Sequence, residues 1–298
     1  MLKENNTLVG IGWMLTSGLL FVCVTGIVRH LGSNLPAAEA AFLRYAFGLV
    51  LIAPVFFRLK NPIPAGALLK LYFWRGMLHG LGVILWFYAM ARIPIADVTA
   101  IGYTTPIFIT IGAAVFLGER LRAHRIAALA AAFVGMLVIL RPGLETIKIG
   151  AWAQIAAAPL FAGSLLLAKH LSDTERPADV VAMLSVFCTL VLLPFALWEW
   201  KTPTGTELAW LFLTSVFATT GHYALTKAFA AAPITVTQPV TFLQLIWATL
   251  LGVVLFDEQP DTWLFVGGAI IVGAVTYIAH RETVAARRRR DATARGDT

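Results

Sequence analysis

The chain has 298 residues, of which 59% are hydrophobic and 13% charged, with a formal net charge of +7. A soluble domain carries about 25% charged residues, so a water-soluble fold of this size would lack the polar surface to cover itself. The strand-scale alternation of a membrane barrel is missing. The positive charge sits in loops and in the tail, which reads as membrane topology rather than nucleic-acid binding.

Apolar runs of about the length that crosses a bilayer core recur along the whole chain. They predict ten spans, at 8–28, 38–57, 68–90, 95–117, 124–140, 150–168, 180–199, 207–230, 234–256 and 263–280. The first run is full length and lacks a basic n-region and an A-x-A site, so it reads as a retained helix rather than a cleaved signal. The connections at 32–36, 60–64, 92–94, 141–143, 203–205 and 257–261 are short and carry Pro, Asn, Gly and charge. None can hold a folded soluble domain. Pro54, Pro106, Pro159, Pro194 and Pro239 lie inside spans or near their ends, where membrane helices accept them as kinks. Cys23 and Cys188 both fall in apolar runs and have neither disulfide nor metal spacing. Beyond the last span the chain turns polar and basic, with four arginines at 287–290. That composition suits a solvated tail near anionic headgroups.

The two halves repeat each other. Arg29-His30-Leu31 follows the first span and Lys169-His170-Leu171 the sixth, 140 residues on, and Pro54 and Pro194 share that offset. Pro94-Ile95 and Pro233-Ile234, Glu119 and Glu258, and Gly82 and Gly221 match at 139. Each copy holds five spans, and an odd number forces the second copy to enter the membrane the other way round. The expected architecture is therefore an all-α integral membrane protein, with ten transmembrane helices in two inverted five-helix repeats. Its parts are residues 1–143, residues 144–281 and a basic cytoplasmic tail at 282–298. Two opposed halves around a shared midplane site are a transporter design. Placing both termini in the cytoplasm puts 16 Lys and Arg on that side and 5 on the other, the sense that the positive-inside rule requires.

Pro106 with Gly118-Glu119-Arg120, and Pro239 with Phe256-Asp257-Glu258, end the fourth and ninth spans, each followed by a Gly-bearing helix (Gly135; Gly267, Gly268, Gly273). With ten spans in two repeats, this pattern resembles the EamA family of the drug/metabolite transporter superfamily over about residues 8–281. Asp257 departs from it, standing where the family usually has a small residue. Within the family the chain most resembles bacterial amino-acid exporters, aromatic ones included. The resemblance implies a multi-pass inner-membrane protein that exports amino acids or similar small metabolites by alternating access. Export of other metabolites or drugs, or a pore-like facilitator, are the alternatives. The expected partners are a small-molecule substrate and the lipid bilayer, with no nucleic acid and no obligate protein partner.

An ionisable group inside a span is a functional candidate, because burying it in lipid is costly. His79 lies near the middle of the third span, and His222 one helical turn from its repeat equivalent in the eighth. They can line one cavity from both sides or satisfy an interhelical hydrogen bond. Trp86 is seven residues after His79, on the same helix face, with Gly82 between. Thr99 and Tyr103 share a face of the fourth span; Gln238, Thr241 and Gln244, with Phe242, populate the ninth. Aromatic walls with few polar anchors suit a small-molecule site, although each aromatic alone can simply pack against lipid or core. Arg44 and Arg75 are buried cations that can meet a substrate carboxylate or pair structurally, and Asp97 opens the fourth span where the helix dipole favours an anion. Glu119 and Glu258 fall at opposite membrane faces, as gates or structural pairs. Trp13, Trp198, Trp200, Trp210 and Trp263 sit near span ends as interfacial anchors. Gly76-x-x-x-Gly80 permits close helix packing inside the bundle. No span carries a central carboxylate, and P-loop, metal-ligand and G-x-S-x-G patterns are all missing. Neither an enzyme nor a cofactor nor a metal is expected.

Overall fold

The computed structural model describes residues 7–56, 65–105, 107–109, 111, 123–141, 147–232, 237, 240–241 and 243–296. Among these residues the regular structure is helical throughout, without a strand. The helices are α1 Thr7–Leu31, α2 Ala37–Phe56, α3 Gly66–Met90, α4 Ile95–Gly102 and α5 Ala123–Leu140. There follow α6 Ile149–Thr174, α7 Pro177–Trp198, α8 Gly205–Ala231, α9 Leu243–Phe256 and α10 Thr262–Gly296.

Local chemistry sets the ends. Gly32 takes φ +63° after α1 and its N–H returns to the Val28 carbonyl at 3.1 Å, a glycine C-cap. Pro177 opens α7 at a position where its missing N–H is of no consequence. Thr204 and Glu207 form a capping box at the start of α8, each side chain satisfying the other's backbone N–H. Pro54, Pro159 and Pro194 stay inside α2, α6 and α7.

Five described helices, α1, α2, α6, α7 and α8, are long and apolar enough to cross a bilayer core. α3 is as long as α1 at 25 residues, but carries Lys70, Arg75 and His79. α4 and α9 are shorter than the spans expected at 95–117 and 234–256, which run partly outside the described residues. The surface is inverted relative to a soluble protein: Val50, Leu190, Leu197, Trp198 and Val254 are exposed, while Arg44, Arg75, His79, Gln154, Thr214 and His222 are buried. Only an apolar solvent makes that arrangement favourable, and the chain is a multi-pass membrane protein.

The largest helix contacts run between the first five helices and the last five. α1 packs along α8, α3 along α6, α2 along α7, α5 along α10 and α4 along α9. The main core, with Val24, Tyr45, Phe87, Leu184 and Leu211 at its centre, draws on both halves. Small residues set the closest crossings. Gly76 and Gly80 both face α7, so this pair serves the interior of the bundle. At the crossing of α5 and α10, Gly135 and Gly267 meet backbone to backbone: a Cβ on Gly135 would stand 2.7 Å from the Gly267 carbonyl oxygen.

Candidate functional site

The site starts from two glycines. A Cβ at Gly82 in α3 would lie 3.0 Å from the Phe161 ring of α6, and one at Gly221 in α8 would lie 3.4 Å from the Phe21 ring of α1. Because neither side chain exists, both rings slide in against the neighbouring helix. They become two walls of a cavity of about 250 Å³ bounded by α1, α2, α3, α4, α6, α8 and α9.

His79 and His222 meet on its lining with ring centres 4.9 Å apart, edge to face. Both are buried, at 8% and 6% exposure. His79 Nδ1 lies 3.3 Å from Ser164 Oγ, and its ring packs 5.2 Å from Phe161 and 6.2 Å from Tyr45. The His222 ring stands 5.0 Å from Phe21, and its Nδ1 has no hydrogen-bond partner among the described residues. Trp86 presents an edge contact to Phe21 at 6.4 Å and to Phe161 at 6.1 Å. The result is a pair of imidazoles held in an aromatic cage, a surface that takes flat ring systems and offers them a few hydrogen bonds.

The polar floor is mostly committed to the protein. Tyr103 Oη donates to the Thr241 carbonyl at 3.1 Å, and Gln244 Nε2 donates to the Gly18 carbonyl at 3.1 Å. The Thr99 hydroxyl donates to the Ile95 carbonyl of its own helix, so Thr99 offers the cavity mainly its methyl group. His79, Trp86, Thr99, Tyr103, His222, Thr241 and Gln244 thus line one cavity, and Arg44 lines it with them. Gln238 and Glu119 lie outside the described residues. Among the described residues, no group of three or more His, Cys, Asp or Glu could hold a metal ion. The sequence reading passed over Phe21, Tyr45, Gln154 and Phe161, which also line the cavity. Phe21 and Phe161 stand 140 residues apart, so the repeat register carried a signal for them. Among the described residues Gln154 is the one buried side-chain amide, and its Oε1 has no partner there.

Glu258 stands away from this cavity, at the end of the bundle where α1 and α3 finish. Its Oε2 accepts from the Ile95 N–H at the start of α4 at 2.9 Å, and its Oε1 pairs with Arg29 Nε at 3.1 Å. Gly252 makes the fold-back possible, since a Cβ there would lie 2.5 Å from that carboxylate. Asp257 turns the chain with φ +51°, a left-handed conformation that Asp tolerates better than most side chains. Nearby, Arg141 pairs with Asp261. Glu39 Oε2 accepts from the Lys201 N–H at 2.9 Å, and Lys201 Nζ donates to the Asn34 carbonyl at 2.6 Å. Asp97 lines a separate cavity of about 100 Å³ with Arg141, Lys148 and Asp261. Glu258→Gln removes one charge from a pair in which Arg29 is 24% and Glu258 9% exposed. It is expected to destabilise the protein by about 1–2 kcal/mol, read as a drop of a few degrees in melting temperature in detergent. An unchanged melt would show that the pair does not hold this end together.

The described helices and the aromatic–polar cavity between them define a multi-pass membrane protein built around a small-molecule site. The chain belongs to the EamA-like transporter family, whose model matches it twice, at residues 8–141 and 148–279. It is a member of the drug/metabolite transporter superfamily, a transporter and not an enzyme. It is 33% identical to a riboflavin transporter of Rhizobium johnstonii, over 94% of both chains. It is 29% identical to an S-adenosylmethionine uptake transporter of Rickettsia felis, over 95% of this chain and 97% of the other. It is 27% identical to a pseudopaline exporter of Pseudomonas aeruginosa, over 85% and 90%. A solved crystal structure shares the fold with a TM-score of 0.60 at 19% identity, covering 95% of this chain and 97% of that one. These names support small-metabolite transport. They lend no support to amino-acid export as such.

Proposed function

We propose that the chain is a secondary transporter of the inner membrane, with both termini cytoplasmic. It carries small ring-bearing metabolites by alternating access between two inverted halves, residues 1–143 and 144–281. The observation that carries the reading is the cavity between the halves, walled by repeat-related positions. Phe21 faces it with Phe161 at an offset of 140; Val83 with His222, Trp86 with Leu225, Gly102 with Thr241 and Thr105 with Gln244 do so at 139. The packing of α1 on α8 mirrors that of α3 on α6, as an internal two-fold relation requires. Such a shared site near the repeat axis can be reached from either side when one half rocks against the other. The double family match and the 16-to-5 bias of basic residues support the two repeats and the orientation.

A cage of Phe21, Trp86 and Phe161 favours a planar ring over an aliphatic chain. Aromatic amino acids belong to that class, and so does the flavin ring of riboflavin, the substrate for which the Rhizobium johnstonii relative is named. Counterflow in proteoliposomes tests the reading. A panel of aromatic amino acids, flavins, nucleosides and aliphatic amino acids is loaded against labelled pools. Saturable exchange of ring-bearing members, with aliphatic ones much slower, is the expected result. Exchange confined to aliphatic compounds, or none at all, would sink it.

A further inference from the structure

Arg44 gives the cavity a charge that no carboxylate among the described residues pairs with. It sits two turns into α2, 4% exposed, and lines the cavity. Its guanidinium carbon lies 3.9 Å from the centre of the Tyr45 ring, and its Nη1 has no hydrogen-bond partner among the described residues. Among the described residues no aspartate or glutamate lines the cavity. The other buried arginine shows what a structural role looks like here. Arg75 donates from Nη1 to the Val180 carbonyl at 2.7 Å, joining α3 to α7; its Nε has no partner among the described residues, but the side chain is not on the cavity lining.

The repeat isolates the feature further. The position equivalent to Arg44, 140 residues on, is Leu184, buried at 1% in the core. The repeat-related place in α7 is filled by an apolar side chain, so the cation breaks the symmetry between the two halves. A guanidinium held in a low-dielectric wall, stacked on one ring and short of acceptors, is stabilised when an anion arrives. Its planar fork matches the two oxygens of a carboxylate or the edge of a phosphate.

We infer that Arg44 is the anchor for an anionic group on the substrate, so that the transporter selects ring-bearing carboxylates or phosphates over neutral and cationic analogues. This rests on the proposed reading of the cavity as the transport site. The ring enters the cage of Phe21, Trp86 and Phe161 while the anionic group pairs with Arg44. A permanently cationic metabolite meets an uncompensated like charge there and is disfavoured.

The test uses full-length protein in proteoliposomes and pairs of probes that share a ring system and differ by an anionic group: indole-3-acetate against the near-isosteric indole-3-acetamide, and riboflavin 5′-phosphate against riboflavin. Wild-type protein is expected to exchange the acid of at least one pair about tenfold or more faster than its neutral partner at low concentration, as a charge-assisted contact implies. Arg44→Gln is expected to abolish that preference, and Arg44→Lys to retain part of it. The two arms tell a carboxylate site from a phosphate site. The wild-type ratio needs no variant, and melting temperatures of both variants in detergent separate lost selectivity from lost folding. Exchange without preference for the acid, or a preference that survives Arg44→Gln, overturns the anchor and leaves the ring-bearing reading standing. No exchange of any probe overturns both.

Discussion

Gly76→Leu is expected to leave little monodisperse, folded protein in detergent, whereas Gly80→Ala behaves almost as wild type. The two glycines lie one turn apart on the same face of α3, yet they meet α7 very differently. A Cβ at Gly76 would overlap the Cβ of Phe187 and stand 3.1 and 3.2 Å from the backbone carbon and Cα of that residue. None of those atoms can rotate away, so the two helices must part. Separating them also opens the contact of Cys188 Sγ with the Gly76 carbonyl at 3.4 Å, and it strains the hydrogen bond of Arg75 to Val180 on the same seam. Overpacking of this kind destabilises by about 1–3 kcal/mol and occasionally more, and a clash with backbone belongs at the upper end. At Gly80 an added methyl would find the Leu192 and Val191 side chains at 3.5–3.7 Å, ordinary contact. Thermal melts and gel filtration of both variants check the contrast. A Gly76→Leu protein with the melting temperature of wild type would show that α3 and α7 do not pack as described.

Removing the ring or the imidazole from the cavity is expected to cut transport while leaving folding intact. His79→Ala and Trp86→Ala should each lower counterflow of the preferred substrate about tenfold or more, the consequence of losing one stacking face or one buried hydrogen bond worth about 1–3 kcal/mol. His79 contributes on three sides: to Ser164, to Phe161 and to His222. Trp86 holds the angle between Phe21 and Phe161. Trp200→Ala is the control. That side chain is 44% exposed and makes one edge contact, to Phe42 at 6.5 Å, so transport should stay within about twofold of wild type for a surface change. The rates must be compared at equal amounts of protein inserted in the membrane. Equal losses in all three variants would mean that the cavity is not the transport site.

The class of this protein was legible without coordinates because the bilayer imposes strong constraints. Backbone groups in lipid must be satisfied within the segment, so spans of sufficient length had to be helices, and α1, α2, α6, α7 and α8 follow that rule. The family pattern that ends the ninth span on Glu258 was equally visible, although Asp257 departs from it at the chain reversal. His79 and Trp86 stood out because seven residues return to one helix face and because buried imidazoles are rare in lipid. Substrate chemistry was less accessible. The resemblance pointed to amino acids, while the relatives bear the names of riboflavin, S-adenosylmethionine and pseudopaline transporters.

Other features had no local signature. Arg44 and Arg75 look alike in sequence, each an arginine about two turns inside an apolar run. Only packing separates them: one is engaged by the Val180 carbonyl, the other is left facing a cavity. Tyr103 and Thr99 share a helix face, yet Tyr103 reaches across to Thr241 while Thr99 bonds to its own backbone. Gln154 became a cavity residue because α6 lies along α3 and α4. Composition and periodicity within segments were enough for the apolar solvent and the helical class, and motif matches along the chain for the family. Which rings meet, which cation faces the cavity and where the cavity lies waited on the fold. Those depend on close approaches at single glycines such as Gly82 and Gly221, between residues far apart in the chain.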